Sequence, residues 1–219
     1  SACVHACPNQ CIEMGQNAAG FFVPVWAEKN KCTDCRVCRQ VCPMTETSLK
    51  PDGEMKKAYL VVNRDSYDRN LSSSGGFFKA LADLVFQQGG VVCGAAFADE
   101  FLIRHQWVED KNAVYPLLGS KYVQSNLNNT FSQIKTFLEQ GKYVLFAGTS
   151  CQAAGLKNFL REGTGCGRLI TADLICHGVP SQKVWKKYLE ECHKGKEIRY
   201  VQFRCKAKGW WESNLRLQY

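Results

Sequence analysis

The sequence lacks several features that would point to a membrane or to nucleic acid. No stretch approaches the roughly eighteen uninterrupted apolar residues of a membrane span, and no signal peptide is visible. No basic run is longer than the pairs Lys56–Lys57 and Lys186–Lys187, so the net charge of +8 is typical of a solvated surface. Neither GxGxxG nor a Walker loop occurs, which argues against a Rossmann dinucleotide site and a Walker nucleotide site. We therefore expect no membrane span and no nucleic-acid partner.

Cysteine, in contrast, is abundant. The chain has 13 cysteines, and seven of them lie between residues 3 and 42. In a short secreted chain such a count would predict disulfides, but this crowding into one region favours metal binding in a reducing compartment. The hydrophobic content of 45% is that of an ordinary globular protein. We expect a cytoplasmic protein with a metal-binding N-terminal part.

Four of these cysteines follow the ferredoxin spacing CxxCxxCxxxCP. The run consists of Cys32, Cys35, Cys38 and Cys42, followed by Pro43. In bacterial ferredoxins three thiolates of this run bind one [4Fe–4S] cluster and the fourth binds another. Structural zinc sites also use CxxC pairs, but a CxxCxxC triplet followed by Cys-Pro is unusual for them. The spacing predicts iron–sulfur clusters, with zinc as the weaker alternative.

An incomplete copy of the same motif comes first in the chain. Cys3 and Cys7 with Pro8 form CxxxCP, the second half of the run, so we expect its first two cysteines to precede Ser1 in a longer protein. Two half-motifs predict two clusters in the full-length protein and one complete ligand set here. Cys11 stands where ferredoxins commonly have a small apolar residue and is predicted to be a packed thiol. The predicted crossed ligand sets are Cys7 with Cys32, Cys35 and Cys38, and Cys3 with Cys42.

Composition and apolar periodicity predict two units of different kinds. Residues 1–50 are rich in Cys and Pro without long apolar periodicity, which is typical of a small ferredoxin-like module organised by metal. Residues 51–71 have the character of a connector with one short strand, Tyr59–Val62. Residues 72–219 alternate between helix and strand patterns and predict an α/β domain with a mixed sheet, so the fold class is α+β or α/β. The strand-like end of this domain predicts that the protein continues beyond Tyr219.

The α/β domain is predicted from apolar periodicity and from turn residues. Its predicted elements are a helix from Phe77 ended by Gly89–Gly90, strand Val91–Phe97, helix Thr130–Glu139, strand Tyr143–Ala147, helix Gln152–Leu160, strand Leu169–Cys176, a helix capped by Ser181 and reaching Cys192, and strands Ile198–Arg204 and Leu215–Tyr219.

Three loops of this domain have the composition of anion-binding turns, in which backbone N–H groups and a helix dipole meet a phosphate. The serines of Ser72–Gly76 can cap the helix that begins near Phe77, and its glycines allow close approach to the backbone. Gly148–Gln152 and Cys176–Ser181 each follow a strand and precede a helix, so both should lie at one edge of the sheet. Each loop alone also has the residues that a purely structural turn requires.

Five segments stand out in this order: Ser73–Phe77, Gly119–Ser125, Leu145–Gln152, Asp173–Ser181 and Phe203–Lys206. Together they resemble the coenzyme F420 hydrogenase/dehydrogenase beta-subunit family. The resemblance extends over nearly the whole chain. One departure is Ser150, where the family more often has proline, but Cys151 and Gln152 are in place.

The resemblance implies an FAD-dependent oxidoreductase that passes electrons between [4Fe–4S] clusters and FAD and on to a deazaflavin, coenzyme F420, or a similar acceptor. It also implies an anaerobic setting, a small-molecule acceptor and an electron-donor subunit or ferredoxin as partner. Two alternatives stay open. One is a homologue that reduces a different substrate, and the other is a non-catalytic electron-transfer subunit or adaptor that holds clusters but no flavin.

The resemblance also implies roles for individual residues. It assigns Ser74, Gly75 and Gly76 to the FAD phosphates and Lys121 to charge pairing with phosphate or flavin. Cys151, at a predicted helix N-terminus, is a candidate redox thiol, and His177 a candidate proton shuttle, although either can also be a packing residue. The predicted cofactor-binding set is Ser73, Ser74, Gly75, Gly76, Ser120, Lys121, Tyr122, Gln124, Ser125, Thr149, Cys151, Gln152, Cys176, His177, Gly178, Pro180 and Ser181.

Overall fold

A two-stranded hairpin flanked by short helices makes up the first 45 residues. The structure, a computed structural model, describes residues 1–45, 57–161, 164–165, 167–209, 211–212 and 214–219, so the predicted boundary at residues 50 and 51 lies outside the described residues. The buried side chains of Ala2 and Val41 pack into a core cluster of the larger domain. The elements are α1 (Ala2–Ala6), the antiparallel strands β1 (Ile12–Gln16) and β2 (Phe22–Trp26), a 3-10 turn (Lys29–Lys31) and α2 (Val37–Gln40).

The larger domain is built on a mixed four-stranded sheet, which confirms the predicted mixed α and β fold. The strand order is β4-β3-β5-β6, in which β3 pairs with β4 antiparallel and with β5 parallel, and β5 pairs with β6 parallel. The long apolar runs of β3 and β5 are buried because helices cover both faces of the sheet. The strands are β3 (Val91–Phe97), β4 (Ile103–Val108), β5 (Val144–Thr149) and β6 (Leu169–Leu174).

Alternate residues of β3 face two different core clusters, as the strand geometry requires. Val91 and Cys93 join the cluster that contains α5 and α6, whereas Val92 and Ala96 join the cluster that contains α4. Among the described residues, no helix has the length and apolar character of a membrane span. The helices of this domain are α3 (Ser66–Leu71), α4 (Phe77–Gln87), α5 (Thr130–Glu139), α6 (Ser150–Leu160) and α7 (Gln182–Cys192), with 3-10 turns at Asp99–Phe101 and Lys111–Leu117.

A second hairpin closes the described chain. Its strands, β7 (Tyr200–Cys205) and β8 (Asn214–Gln218), pair antiparallel with an irregularity between Gln202 and Cys205. Trp185 of α7 and Val201 of β7 pack with Ile103 of β4 into a third core cluster. This hairpin therefore extends the domain beyond its main sheet on the side of β4.

One predicted strand is wrong. Residues Tyr59–Val62 form no strand in the structure, and Leu60 is 97% exposed. A short run with strand-like composition needs a neighbouring strand to pair with, and the backbone N–H of Asn63 instead donates to the carbonyl of Gly75 at 2.7 Å. The segment runs past the Ser72–Gly76 loop and does not add to the sheet.

Candidate functional site

A cavity of about 750 Å³ lies at the carboxyl edge of the sheet. Small residues from the middle and carboxyl halves of three strands form part of its wall: Gly94 and Ala95 of β3, Ala147 of β5 and Ala172 of β6. Ligand sites of open α/β sheets are found at this edge, and the volume is in the range of small-molecule and cofactor sites. None of these four residues has a side chain larger than a methyl group, which leaves room for a flat ring beside them.

The cavity extends into the sheet because β3 and β5 separate there. Their parallel pairing runs only from Val91–Val144 to Cys93–Phe146, whereas β5 continues beside β6 up to the pair Thr149–Leu174. The carbonyl of Ala147 therefore faces the gap between the two strands. It accepts a hydrogen bond from the His105 ring.

Side chains and backbone of the predicted loops are hydrogen-bonded to one another around this cavity. The Ser120 N–H donates to Ser73 Oγ at 2.6 Å, and Gln152 Nε2 donates to Ser125 Oγ at 3.0 Å. The Gln124 N–H donates to the carbonyl of Pro180 at 2.9 Å. The structure thus brings together loops that are up to about a hundred residues apart in the chain.

Helix α4 begins at the cavity without a side-chain cap, contrary to the capping predicted for the serines of Ser72–Gly76. Ser72 Oγ donates to the carbonyl of Asp68, and Ser73 Oγ accepts the Ser120 N–H. The N-cap is Gly76, whose φ of 83° favours glycine. A Cβ on Gly75 would lie 2.4 Å from the carbonyl oxygen of Val61. The first N–H groups of this helix are left available to an anion.

The other two helices at this edge have their own caps. Thr149 caps α6 in a capping box, in which its N–H donates to Gln152 Oε1 at 2.9 Å. Ser181 caps α7, as predicted, by accepting the Val184 N–H at 3.3 Å. Of the three, α4 is therefore the helix whose N-terminus best fits a phosphate.

Lys121 lies in the cavity wall as a desolvated cation. Its Nζ donates to the carbonyls of Pro116 and Leu118, both at 2.8 Å, and no salt bridge to it is found in the described part of the chain. Burial lowers the pKa of Lys121 to about 7. Such an amine interacts favourably with an anionic or strongly electron-rich ligand, which agrees with its predicted role.

The predicted catalytic residues are placed differently from each other. Cys151 lines the cavity with Sγ 3.2 Å from Thr149 Oγ1, and Cys176 also lines it and accepts the Gly178 N–H at 3.3 Å. His177 is exposed and is not among the lining residues. Four of the predicted cofactor residues lie outside the lining: Tyr122, His177, Pro180 and Ser181.

Two predicted cofactor residues attach the N-terminal hairpin to the domain. The Gln124 amide is paired with the backbone of Phe22: Oε1 accepts its N–H at 2.7 Å and Nε2 donates to its carbonyl at 3.1 Å. Ser181 Oγ donates to the carbonyl of Ala19 at 2.6 Å, and Lys183 Nζ donates to that of Ala18 at 3.0 Å. We name these three side chains the hairpin latch.

Two of the predicted cluster ligands line the cavity, and two others interact with Cys11. Cys3 and Cys42 both line the cavity; burial raises the pKa of Cys3, and the nearby Cys42 thiolate adds to this rise. Cys7 Sγ lies 3.3 Å from the buried Cys11 Sγ, and hydrogen bonding to Cys7 is the main factor that raises the pKa of Cys11 to about 11. Cys32 also interacts with Cys11. Cys3 and Cys42 thus lie on one cavity, as a shared ligand set would require, whereas Cys7 contacts Cys11, which the crossed assignment leaves out of both sets.

Complete ligand sets are not assembled, however. Across the described ranges, no three side chains of the Cys, His, Asp and Glu types are gathered closely enough to hold a metal ion. The cysteines Cys35 and Cys32 are exposed. The full sets of four thiolates therefore stay a prediction from the spacing.

His105 is a residue of the site that was not predicted from the sequence. It lies on β4, is 3% exposed and lines the cavity, with its ring stacked on Phe146 at a centroid distance of 5.4 Å. A single histidine in a strand has no motif around it, and β4 itself was not predicted. In Ile103–Val108 the apolar residues stand only at the two ends, so no period-two alternation marked the strand.

Comparison with known proteins supports the resemblance found in the sequence. Residues 141–217 match the family described as the C terminus of the coenzyme F420 hydrogenase/dehydrogenase beta subunit. The match covers less than half of the chain. The matched segment includes β5, β6 and the Gly148–Gln152 and Cys176–Ser181 loops, which contribute residues to the cavity lining. No curated protein sequence matches the chain.

A solved structure shares the fold. The chain is similar to a subunit in a xenon-derivatised structure of the F420-reducing [NiFe] hydrogenase complex from Methanosarcina barkeri, with a TM-score of 0.51 and 16% sequence identity. The similarity covers 71% of this chain and 57% of that one, so this chain spans little more than half of its relative. At this identity the comparison establishes the fold alone.

Proposed function

We propose that this chain is the iron–sulfur and flavin-binding part of an oxidoreductase that passes electrons between [4Fe–4S] clusters and FAD and on to a deazaflavin such as coenzyme F420 or a similar acceptor. One observation carries the proposal. A single cavity is lined both by predicted cluster ligands, Cys3 and Cys42, and by the predicted phosphate-binding glycines Gly75 and Gly76. The family of residues 141–217 and the F420-reducing complex that contains the similar fold suggest the acceptor class.

The flavin end of the proposal rests on the shape and charge of the cavity. The uncapped N-terminus of α4 with Gly75 and Gly76 fits a pyrophosphate, because its N–H groups and the helix dipole favour negative charge. The small residues Gly94, Ala95 and Ala147 leave room for a flat ring against the sheet. A bound flavin would supply the exchange between single electrons and a hydride.

The iron–sulfur end is held against the same cavity by the hairpin latch. Gln124 fixes Phe22 of β2, and Phe22 lines the cavity together with Met14 of β1. The ferredoxin-like module therefore forms one wall of the site, with Cys3 and Cys42 in that wall. Clusters bound there would supply single-electron transfer to and from an external donor. An electron-donor subunit or a ferredoxin is the partner that this arrangement requires.

The test is an anaerobic preparation of the full-length protein, analysed for iron, sulfide and released flavin and assayed for reduction of coenzyme F420 by a low-potential donor. We expect FAD, iron and F420 reduction. For residues 1–219 alone, the ligand sets predict about four iron atoms per chain and not eight. A Cys35→Ser variant should lose most of this iron, whereas Cys192→Ser, an exposed cysteine of α7, should keep it.

The outcomes separate the alternatives. Clusters without flavin would contradict an oxidoreductase and favour the non-catalytic electron-transfer subunit. Flavin that is reduced but does not pass electrons to F420 would favour a homologue with another substrate. Four thiolates that bind zinc in a preparation made with excess iron would contradict the iron–sulfur assignment.

A further inference from the structure

The ring of His105 bridges the gap between the separating strands. From β4 it reaches past its partner residue Ala95 on β3 to β5, where Nε2 lies 3.0 Å from the carbonyl oxygen of Ala147. A carbonyl oxygen can only accept, so Nε2 carries the hydrogen and Nδ1 is the bare acceptor of a neutral imidazole. The contact with Phe146, stacked at 20°, fixes the plane of the ring.

Nδ1 of His105 has no hydrogen-bond partner among the described residues, although it is buried. An unpaired buried acceptor is unfavourable, and native structures keep few of them without a functional reason. His105 belongs to the cavity wall. A ligand in the cavity that carries an N–H group in the ring plane would satisfy this nitrogen.

Lys121 provides the complementary group in the same wall. Two of its three N–H hydrogens are used by the carbonyls of Pro116 and Leu118, and no third acceptor contacts Nζ in the part of the chain that the structure describes. Lys121 is also close enough to His105 to interact with it electrostatically. The wall therefore presents one unpaired acceptor and one unpaired donor near each other.

A donor and an acceptor side by side match an imide edge, in which a ring N–H stands next to a ring carbonyl. The pyrimidinedione edge of flavins and deazaflavins has this pattern, and a phosphate does not, because at neutral pH it offers little to a bare nitrogen acceptor. We infer that His105 and Lys121 bind this edge of the flavin. His105 Nδ1 accepts a hydrogen bond from N3–H of the flavin ring, and the Lys121 ammonium donates to an adjacent ring carbonyl. The inference rests on the proposed flavin site and assigns Lys121 to the ring, not to the phosphates.

The experiment compares FAD with 3-methyl-FAD, in which a methyl group replaces the N3 hydrogen, on the anaerobically prepared full-length protein after removal of its flavin. Binding is measured by quenching of flavin fluorescence. The wild-type protein should bind 3-methyl-FAD about tenfold more weakly or worse, because one hydrogen bond to a buried acceptor is lost. His105→Phe keeps an aromatic ring on Phe146 but no acceptor, and should bind both ligands within about twofold of each other.

Two further variants complete the design. Lys121→Met should weaken both ligands by a similar factor and leave their ratio unchanged, since the carbonyls are present in both. The control His193→Phe, on a ring that contacts Tyr219 and does not line the cavity, should behave as the wild type.

Each outcome decides the inference. Equal binding of FAD and 3-methyl-FAD by the wild-type protein overturns it while leaving the flavin site intact, and this measurement does not depend on any variant folding. Discrimination that persists in His105→Phe also overturns it. Binding of neither ligand overturns the proposed function and the inference together.

Discussion

At the scale of single residues, buried Lys121 lowers the stability of the ligand-free protein but is available to bind a ligand. Burial holds the pKa of its amine near 7, below its ordinary value near 10.5, so the folded protein binds fewer protons than the unfolded chain between these values. Burying the charge lowers the free energy of unfolding by its full amount below about pH 7, and this effect disappears as the pH rises towards 10.5. A ligand that accepts from Nζ offsets this cost.

Lys121→Met should therefore raise the melting temperature of the flavin-free protein at pH 6.5. The gain should shrink as the pH is raised from 7 to 10, because folding must remove the proton of the wild-type amine, and this removal costs less free energy as the pH approaches the unfolded pKa near 10.5. Thermal unfolding of both proteins over this range measures it. An exposed control, Lys135→Met on α5, should show no such pH-dependent gain, and a gain that is constant with pH would contradict the assignment.

Two histidines, the half-buried His5 and the buried His105, predict acid sensitivity of a different kind. Burial lowers the pKa of both His5 and His105 to about 4, so each is neutral in the folded protein at pH values where the unfolded chain is already protonated. Stability should fall as the pH decreases from about 6.5 to about 4. His105→Phe should make this fall shallower by up to about one proton in the unfolding linkage, measured by urea unfolding at several pH values. An unchanged slope would show that His105 is already charged in the fold.

At the scale of elements, the hairpin latch is expected to hold the hairpin of β1 and β2 against the larger domain. Gln124→Ala removes both hydrogen bonds to Phe22, which together amount to about 1–3 kcal/mol. We expect faster amide hydrogen exchange across β1 and β2 with little change in α5. The matched control is Gln87→Ala, on the exposed face of α4. If exchange in the hairpin is unaffected, other contacts of the module hold it and the latch is unimportant.

Elements with strong periodicity were predicted accurately from the sequence. The bounds of β3 and α5 agree with the prediction to the residue, because each combines a clear apolar pattern with end signals such as Gly89–Gly90 and Gly141. Strand β4 was missed because Arg104, His105 and Gln106 interrupt its apolar residues. Propensity and period do not show that such a run pairs with β3; only the tertiary structure supplies its partner.

Sequence patterns predicted which loops form the candidate site, but not which side chains contact one another there. The loops at Ser72–Gly76, Gly148–Gln152 and Cys176–Ser181 do meet at one cavity, since strand ends of a parallel sheet share an edge. Which side chains face the cavity depends on neighbours that are distant in sequence. Gln124 and Ser181 are hydrogen-bonded to the N-terminal hairpin, a pairing that no local pattern reveals.

At the scale of the whole molecule, the two predicted units depend on each other. Ser1, Cys3, Phe22 and Cys42 belong to the first 45 residues and also line the cavity of the larger domain. Under the proposed function, removing iron with a chelator under anaerobic conditions should release flavin as well, since the wall would lose the clusters proposed to organise it. Flavin fluorescence in the filtrate measures the release. Full retention of flavin by the iron-free protein would show that the module's wall is dispensable.

The short pairing between β3 and β5 gives the sheet a seam. Only three residue pairs join the strands before they part, and the His105 imidazole is the next link between the two sides. The family-matched segment begins at residue 141, three residues before β5, so the seam also separates it from the strands that precede it. Under mechanical load or at a low concentration of denaturant, β3 and β5 should separate along this line before the other strand pairs do. The hydrogen bond of the His105 ring would then be the contact that resists the separation.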